Sequence, residues 1–106
     1  MAQVLLTSPA DADIGGIIAY LACKAGNTLA ARYVASFEKL FNRLADYPDS
    51  DPLRPALGPQ VRISIVAPYI VIYEYDAAGD TVIVLRIIHG RRQINGDLLL
   101  VNTGSS

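Results

Sequence analysis

Apolar positions along the chain change period several times, and each change marks an element. Gln3 to Thr7 is a short apolar run that reads as a first strand. Ser8-Pro9-Ala10-Asp11 then reads as a helix start: Ser8 can cap, Pro9 suits the first helical position, and Asp11 stands where a capping-box acid meets the orphan N–H groups. Ile14, Ile17, Ile18, Leu21 and Ala25 continue at helical spacing. Gly15 and Gly16 interrupt that helix, each weakening it by about 1 kcal/mol relative to Ala. A tolerated defect is the simpler reading of the pair, close approach of another backbone the functional one. Gly26 suits the residue that ends this helix and Asn27 the cap of the next. Ala30, Tyr33, Val34, Phe37, Leu40, Phe41 and Leu44 form an i, i+3, i+4, i+7 stripe, with Arg32, Ser36, Lys39 and Arg43 on the other side. The link is so short that the two helices must form an antiparallel hairpin.

Asp46 to Pro59 carries Pro48, Pro52, Pro55 and Pro59 and is an ordered connector, with Leu53 and Leu57 available to dock. Three strand-like runs follow. Val61 to Ile65 alternates apolar and polar residues. After an Ala67-Pro68 turn, Tyr69 to Tyr75 is β-branched and aromatic almost throughout. Asp76 to Asp80 is a hairpin loop, and Thr81 to Ile88 is the last strand, apolar on both faces apart from Arg86. The order β-α-α-β-β-β predicts an α+β fold, with the helical hairpin packed on one face of a small antiparallel sheet.

At 106 residues and with 52% apolar but only 18% charged residues, the chain reads as one domain over 1–106 and not as a disordered segment. The apolar share exceeds what one small core needs, which points to surface buried by a partner. Nine basic against ten acidic residues argue against a globally basic nucleic-acid binder. Seven of the nine are Arg, the residue suited to planar carboxylate or phosphate partners. Cys23 is the only cysteine, so neither an internal disulfide nor a thiolate metal site is expected. No signal-peptide pattern and no membrane-length apolar run are present, so a soluble cytoplasmic protein is expected.

Chemistry-bearing motifs are sparse. There is no GxGxxG and no GxxxxGK[ST], metal-ligand spacing is absent, and His89 is the only histidine. No cofactor and no metal is expected. The acids Asp46, Asp49, Asp51, Asp76 and Asp80 read as turn chemistry and solubility. Arg86, His89, Arg91 and Arg92 form the informative cluster, with Arg62 expected beside it on a neighbouring strand. Alternation puts Arg86 on the face of Val82 and Val84, where it needs an acceptor. Two acceptors are open: Glu74 across the hairpin, or a carboxylate or phosphate of a partner.

The stretch from Tyr20 to Arg92 resembles the ParE branch of the RelE/ParE toxin superfamily of bacterial type II toxin–antitoxin pairs. Three segments carry the likeness: Phe37 to Pro48, Arg54 to Arg62 followed by Pro68 to Tyr75, and, most specifically, Ile83-Val84-Leu85-Arg86-Ile87-Ile88-His89-Gly90-Arg91-Arg92. The resemblance implies a toxin neutralised by a ParD-like antitoxin whose tail folds on binding. It also implies that the toxin poisons DNA gyrase (or its relative topoisomerase IV) by binding, with no catalytic residue of its own. The target or antitoxin surface would then use Arg62, Arg86, His89, Arg91 and Arg92, without a membrane and without sequence-specific nucleic-acid contact.

The alternative in the same superfamily is a ribosome-dependent mRNA endoribonuclease of the RelE type, and a third is a non-toxic relative that only binds antitoxin. The RelE-type residues are largely missing. Val61, Ile63 and Ile65 stand on the first meander strand, Ile70 follows Tyr69 where an Arg would be expected, and Leu98, Leu99 and Leu100 occupy the tail. Asn95 to Ser106 departs from the family pattern, and Gly104-Ser105-Ser106 has the look of a vector-derived end.

Overall fold

The structure, a computed structural model, describes residues 1–91. Arg92 and the tail lie outside the described residues. The elements are β1 (Gln3–Leu6), α1 (Ser8–Ala25), α2 (Asn27–Asp46), β2 (Val61–Val66), β3 (Tyr69–Asp76) and β4 (Thr81–His89). The two helices pack against a four-stranded sheet of order β1-β4-β3-β2. The α+β reading and its β-α-α-β-β-β order hold. The sheet, however, is mixed. β2, β3 and β4 form the expected antiparallel meander, whereas β1 lies parallel to β4, with Leu6 opposite Val84. The intervening helical hairpin makes this possible, because a parallel neighbour requires a long crossover. Among the described residues, no helix is long and apolar enough to cross a membrane.

Both helix boundaries shift from the sequence expectation for a local reason. Thr7, not Ser8, caps α1: its backbone is extended and its hydroxyl accepts from Ala10 N–H at 3.2 Å. The same hydroxyl donates to Leu85 C=O at 3.0 Å, which ties the helix start to β4. Gly26 serves both helices. Its φ of 96° is a region that L side chains avoid, its N–H closes α1 on Ala22, and its C=O accepts from Ala30 N–H. Asn27 is therefore already helical, and α2 starts with no side-chain cap.

The sheet buries residues on both faces. On the helix side, Phe37, Leu40 and Leu44 of α2 meet Tyr69, Val71, Tyr73, Val82, Val84 and Ile87, with Ile14, Ile17, Ile18 and Leu21 of α1 closing the layer. On the other side the connector lays Leu57 over Val61, Ile63, Ile72 and Ile88. Leu53 does not dock: its side chain stays exposed while its backbone bridges Arg62.

A register shift between Ile72 and Tyr73 changes the parity of β4. Ile72 opposes Arg86 and Tyr73 opposes Val84, so Leu85 is the extra residue. Odd-numbered Ile87 thereby joins even-numbered Val82 and Val84 in the helix-side core. Simple alternation had placed Arg86 on that face, and the bulge breaks the alternation just before it.

Candidate functional site

The five residues singled out in the sequence do not form one cluster. Arg62 is two strands from β4 and opposes Tyr73, whereas His89 opposes Tyr69 at the other end of the meander. Its guanidinium Nη1 donates to the carbonyl oxygens of Asp49 and Asp51, pinning the connector against β2. Arg92 lies outside the described residues.

Arg86 finds neither Glu74 nor a free surface. Glu74 opposes Ile83, because the hairpin turn sets that register, and it is out of reach of Arg86. Instead Arg86 Nε and Nη2 donate to the two carboxylate oxygens of Asp13 on α1, at 2.7 and 3.1 Å. Ile87 N–H donates to the same carboxylate at 3.0 Å. The hydrogen bond to Asp13 raises the Arg86 pKa against the opposing pull of burial. Asp13 had carried no sequence signal of its own.

His89 and Arg91 do come together where β4 leaves the sheet. His89 packs edge-on against Tyr69, with ring centroids 5.6 Å apart, and its Nδ1 accepts Arg91 N–H at 3.1 Å. The neutral ring therefore carries its proton on Nε2 as a donor. Tyr69 is itself held by Phe37 and Tyr33 of α2, so the aromatic stripe of that helix positions the histidine indirectly. Burial, with the neighbouring Tyr33 and Tyr20 hydroxyls, pushes the Tyr69 pKa up and keeps its phenol protonated.

These groups open onto a cavity of about 640 Å³ lined by Asp13, Ile17, Tyr20, Tyr69, His89 and Arg91. Asp13 is neutralised by Arg86, and Arg91 is exposed with no ion pair among the described residues. The pocket thus presents one uncompensated guanidinium with imidazole and phenol donors beside it. Such a set can grip a carboxylate or phosphate oxygen and fix its orientation. The carboxylate in the pocket, Asp13, already accepts three hydrogen bonds. Among the described residues, no group of three or more His, Cys, Asp or Glu is placed to hold a metal ion.

A second polar network centres on Asp51, which the sequence assigned to turn chemistry and solubility. Asp51 Oδ2 accepts from Tyr73 Oη at 2.7 Å and from Arg43 Nη2 at 3.2 Å. Arg43 also donates to Ser50 and to buried Ser64. This network joins the end of α2, the connector and β2, and its role is structural. A buried tyrosine hydroxyl in a strand was the one signal that an acceptor had to stand nearby.

This fold, a helical hairpin on a small mixed sheet with a basic strand exit, is that of type II toxin–antitoxin toxins. Residues 4–94 match the ParE toxin of type II toxin–antitoxin system, parDE, and the chain belongs to that family as the toxin of a ParDE-type pair. Toxin ParE3 of Caulobacter vibrioides is 29% identical over 98 residues, spanning 92% of this chain and 96% of the relative. Among solved structures, the chromosomal ParDE system of P. aeruginosa matches with a TM-score of 0.69 at 22% identity, covering 84% of this chain and 96% of that one. The toxin–antitoxin complex RelBE2 of Mycobacterium tuberculosis matches with a TM-score of 0.59 at 26% identity, covering 83% and 96%.

Proposed function

We propose that this toxin arrests growth by binding DNA gyrase through the pocket at the end of β4, breaks no bond itself, and is held inactive by a ParD-like antitoxin in the cytoplasm. The observation that carries this reading is the exposed Arg91 guanidinium, uncompensated beside the His89 donor while the neighbouring Arg86 and Asp13 satisfy each other. An exposed guanidinium in a concave site orients an acidic partner group. Proton transfer would need a free base aligned with a second group, and the Asp13 carboxylate is already engaged by Arg86 and Ile87. Family membership favours the ParE-type target over the ribosome.

A gyrase supercoiling assay with purified toxin tests the proposal. Wild type is expected to inhibit, and Arg91→Ala with Arg92→Ala to weaken inhibition roughly tenfold or more at an unchanged unfolding midpoint. Retained inhibition would move the contact surface elsewhere. No inhibition by wild type would overturn the gyrase reading and leave mRNA cleavage or antitoxin binding alone.

The likeness to the RelBE2 complex favours a second reading, cleavage of ribosome-bound mRNA. That reading requires cutting by wild type that is lost in His89→Ala.

A further inference from the structure

Charge is segregated along the sheet. Glu74, Asp76 and Asp80 stand at the β3–β4 hairpin. The end of α2 lies beside them: Gln3 N–H bonds Asp80 C=O while Ala2 N–H bonds Ala45 C=O, which brings exposed Asp46 to the same end. Arg32, Lys39 and Arg91 lie towards the opposite end, where β2 turns into β3 and β4 leaves the sheet. The formal net charge of −1 therefore conceals a dipole.

Two of these cations line a groove of about 560 Å³ between α2 and Ile65, Val66 and Ala67. Its helical wall is a single stripe: Arg32, Ser36, Lys39 and Arg43 recur at i, i+4, i+7 and i+11, so the cations span about 16 Å of one helix face. No carboxylate lines the groove. Glu38, on the same helix, stands about 100° around from Lys39. Arg32 and Lys39 are exposed and have no ion pair among the described residues, whereas Arg43 divides its donors between Asp51, Ser50 and Ser64.

We infer that this groove takes the sugar–phosphate backbone of duplex DNA, without reading its sequence. A row of cations on a rigid helix matches the regular phosphates of a duplex. The same phosphates repel the acidic hairpin, so the dipole fixes which end of the molecule meets DNA. A single strand fits less well. The groove offers no open aromatic face for stacking, since Tyr33 is packed against Tyr69 and donates its hydroxyl to Ala67 C=O. The inference deepens the gyrase reading and rests on it for its setting. The groove and the Arg91 pocket share the Tyr33–Tyr69 pair as a wall, with ring centroids 5.7 Å apart. A toxin seated on gyrase through the pocket thus brings the groove to an enzyme whose substrate is DNA.

The test is fluorescence anisotropy with the full chain and labelled DNA duplexes of about 20 base pairs in two unrelated sequences, across about 20–150 mM salt. Wild type is expected to bind both alike. The logarithm of the binding constant should fall against the logarithm of salt with a slope of about −2 to −3, the mark of about two to three phosphates neutralised. Arg32→Gln with Lys39→Gln is expected to reduce that slope by about 2 and to weaken binding roughly tenfold or more at low salt, at an unchanged unfolding midpoint. Arg54→Gln removes a charge of the same sign at the acidic end, where Arg54 N–H bonds Val61 C=O opposite Glu74, and is expected to change neither. No binding by wild type at low salt, or a double variant that binds no more weakly than Arg54→Gln, overturns the inference and leaves the gyrase reading standing on Arg91. Wild type that binds DNA but does not inhibit gyrase overturns the gyrase reading and leaves the DNA contact standing. Equal binding of poly-glutamate, or tighter binding of an RNA duplex of the same sequence, assigns the groove to that partner and overturns the inference.

Discussion

Asp13 does the work of a missing piece of strand. β1 ends at Leu6 opposite Val84, so the edge of β4 beyond that point needs other partners. Thr7 satisfies Leu85 C=O, and the Asp13 carboxylate takes Ile87 N–H together with the Arg86 guanidinium. Asp13→Ala would strand a guanidinium whose side chain is only 11% exposed, and is expected to cost about 3 kcal/mol in denaturant unfolding. Nothing in the pattern linked Asp13 to Arg86, because their contact depends on where β1 stops and on the bulge at Leu85. The pairing of Tyr73 with Asp51 was equally hidden. Burial first, then the hydrogen bond to Asp51, raises the Tyr73 pKa above its ordinary 10.0. The folded chain therefore holds this proton more tightly than the unfolded one. The stabilisation is fully present below pH 10 and is lost as pH rises beyond it. Tyr73→Phe is expected to remove that alkaline loss and to cost about 1–2 kcal/mol at neutral pH, read from denaturation curves across pH.

At the scale of elements, α2 was the most legible part. Its apolar stripe is regular, and Ala30, Phe37, Leu40 and Leu44 are buried as the spacing implied, with Val34 left at the margin. α1 was less clear, because its outward side carries small residues such as Ala12, Gly15, Gly16 and Ala19 that blur the contrast between faces. A Cβ built on Gly15 or Gly16 meets nothing within 4 Å, so no other described part of the chain approaches there. The pair acts as a tolerated weakness. Gly15→Ala is expected to raise stability by about 1 kcal/mol, visible as a shift of the thermal midpoint. The caps were misplaced by one residue each, since Thr7 and Gly26 are chosen by contacts with β4 and by backbone conformation rather than by local propensity.

At the scale of the molecule, the meander and the hairpin followed from periodicity, but the place of β1 did not. Four residues carry too little pattern to name their neighbour, and the parallel seat beside β4 arises only once α1 and α2 have carried the chain across the sheet. The candidate site split for the same reason. Linear closeness in Arg86 to Arg91 overstated their common purpose, and only His89 and Arg91 share an open pocket. The seating of β1 has a consequence for biosynthesis. β1 settles only against β4, which follows it after two helices and two strands, so a growing chain lacks its full sheet until β4 has been delivered. A chain that stops short of β4 therefore leaves β1 without its strand partner.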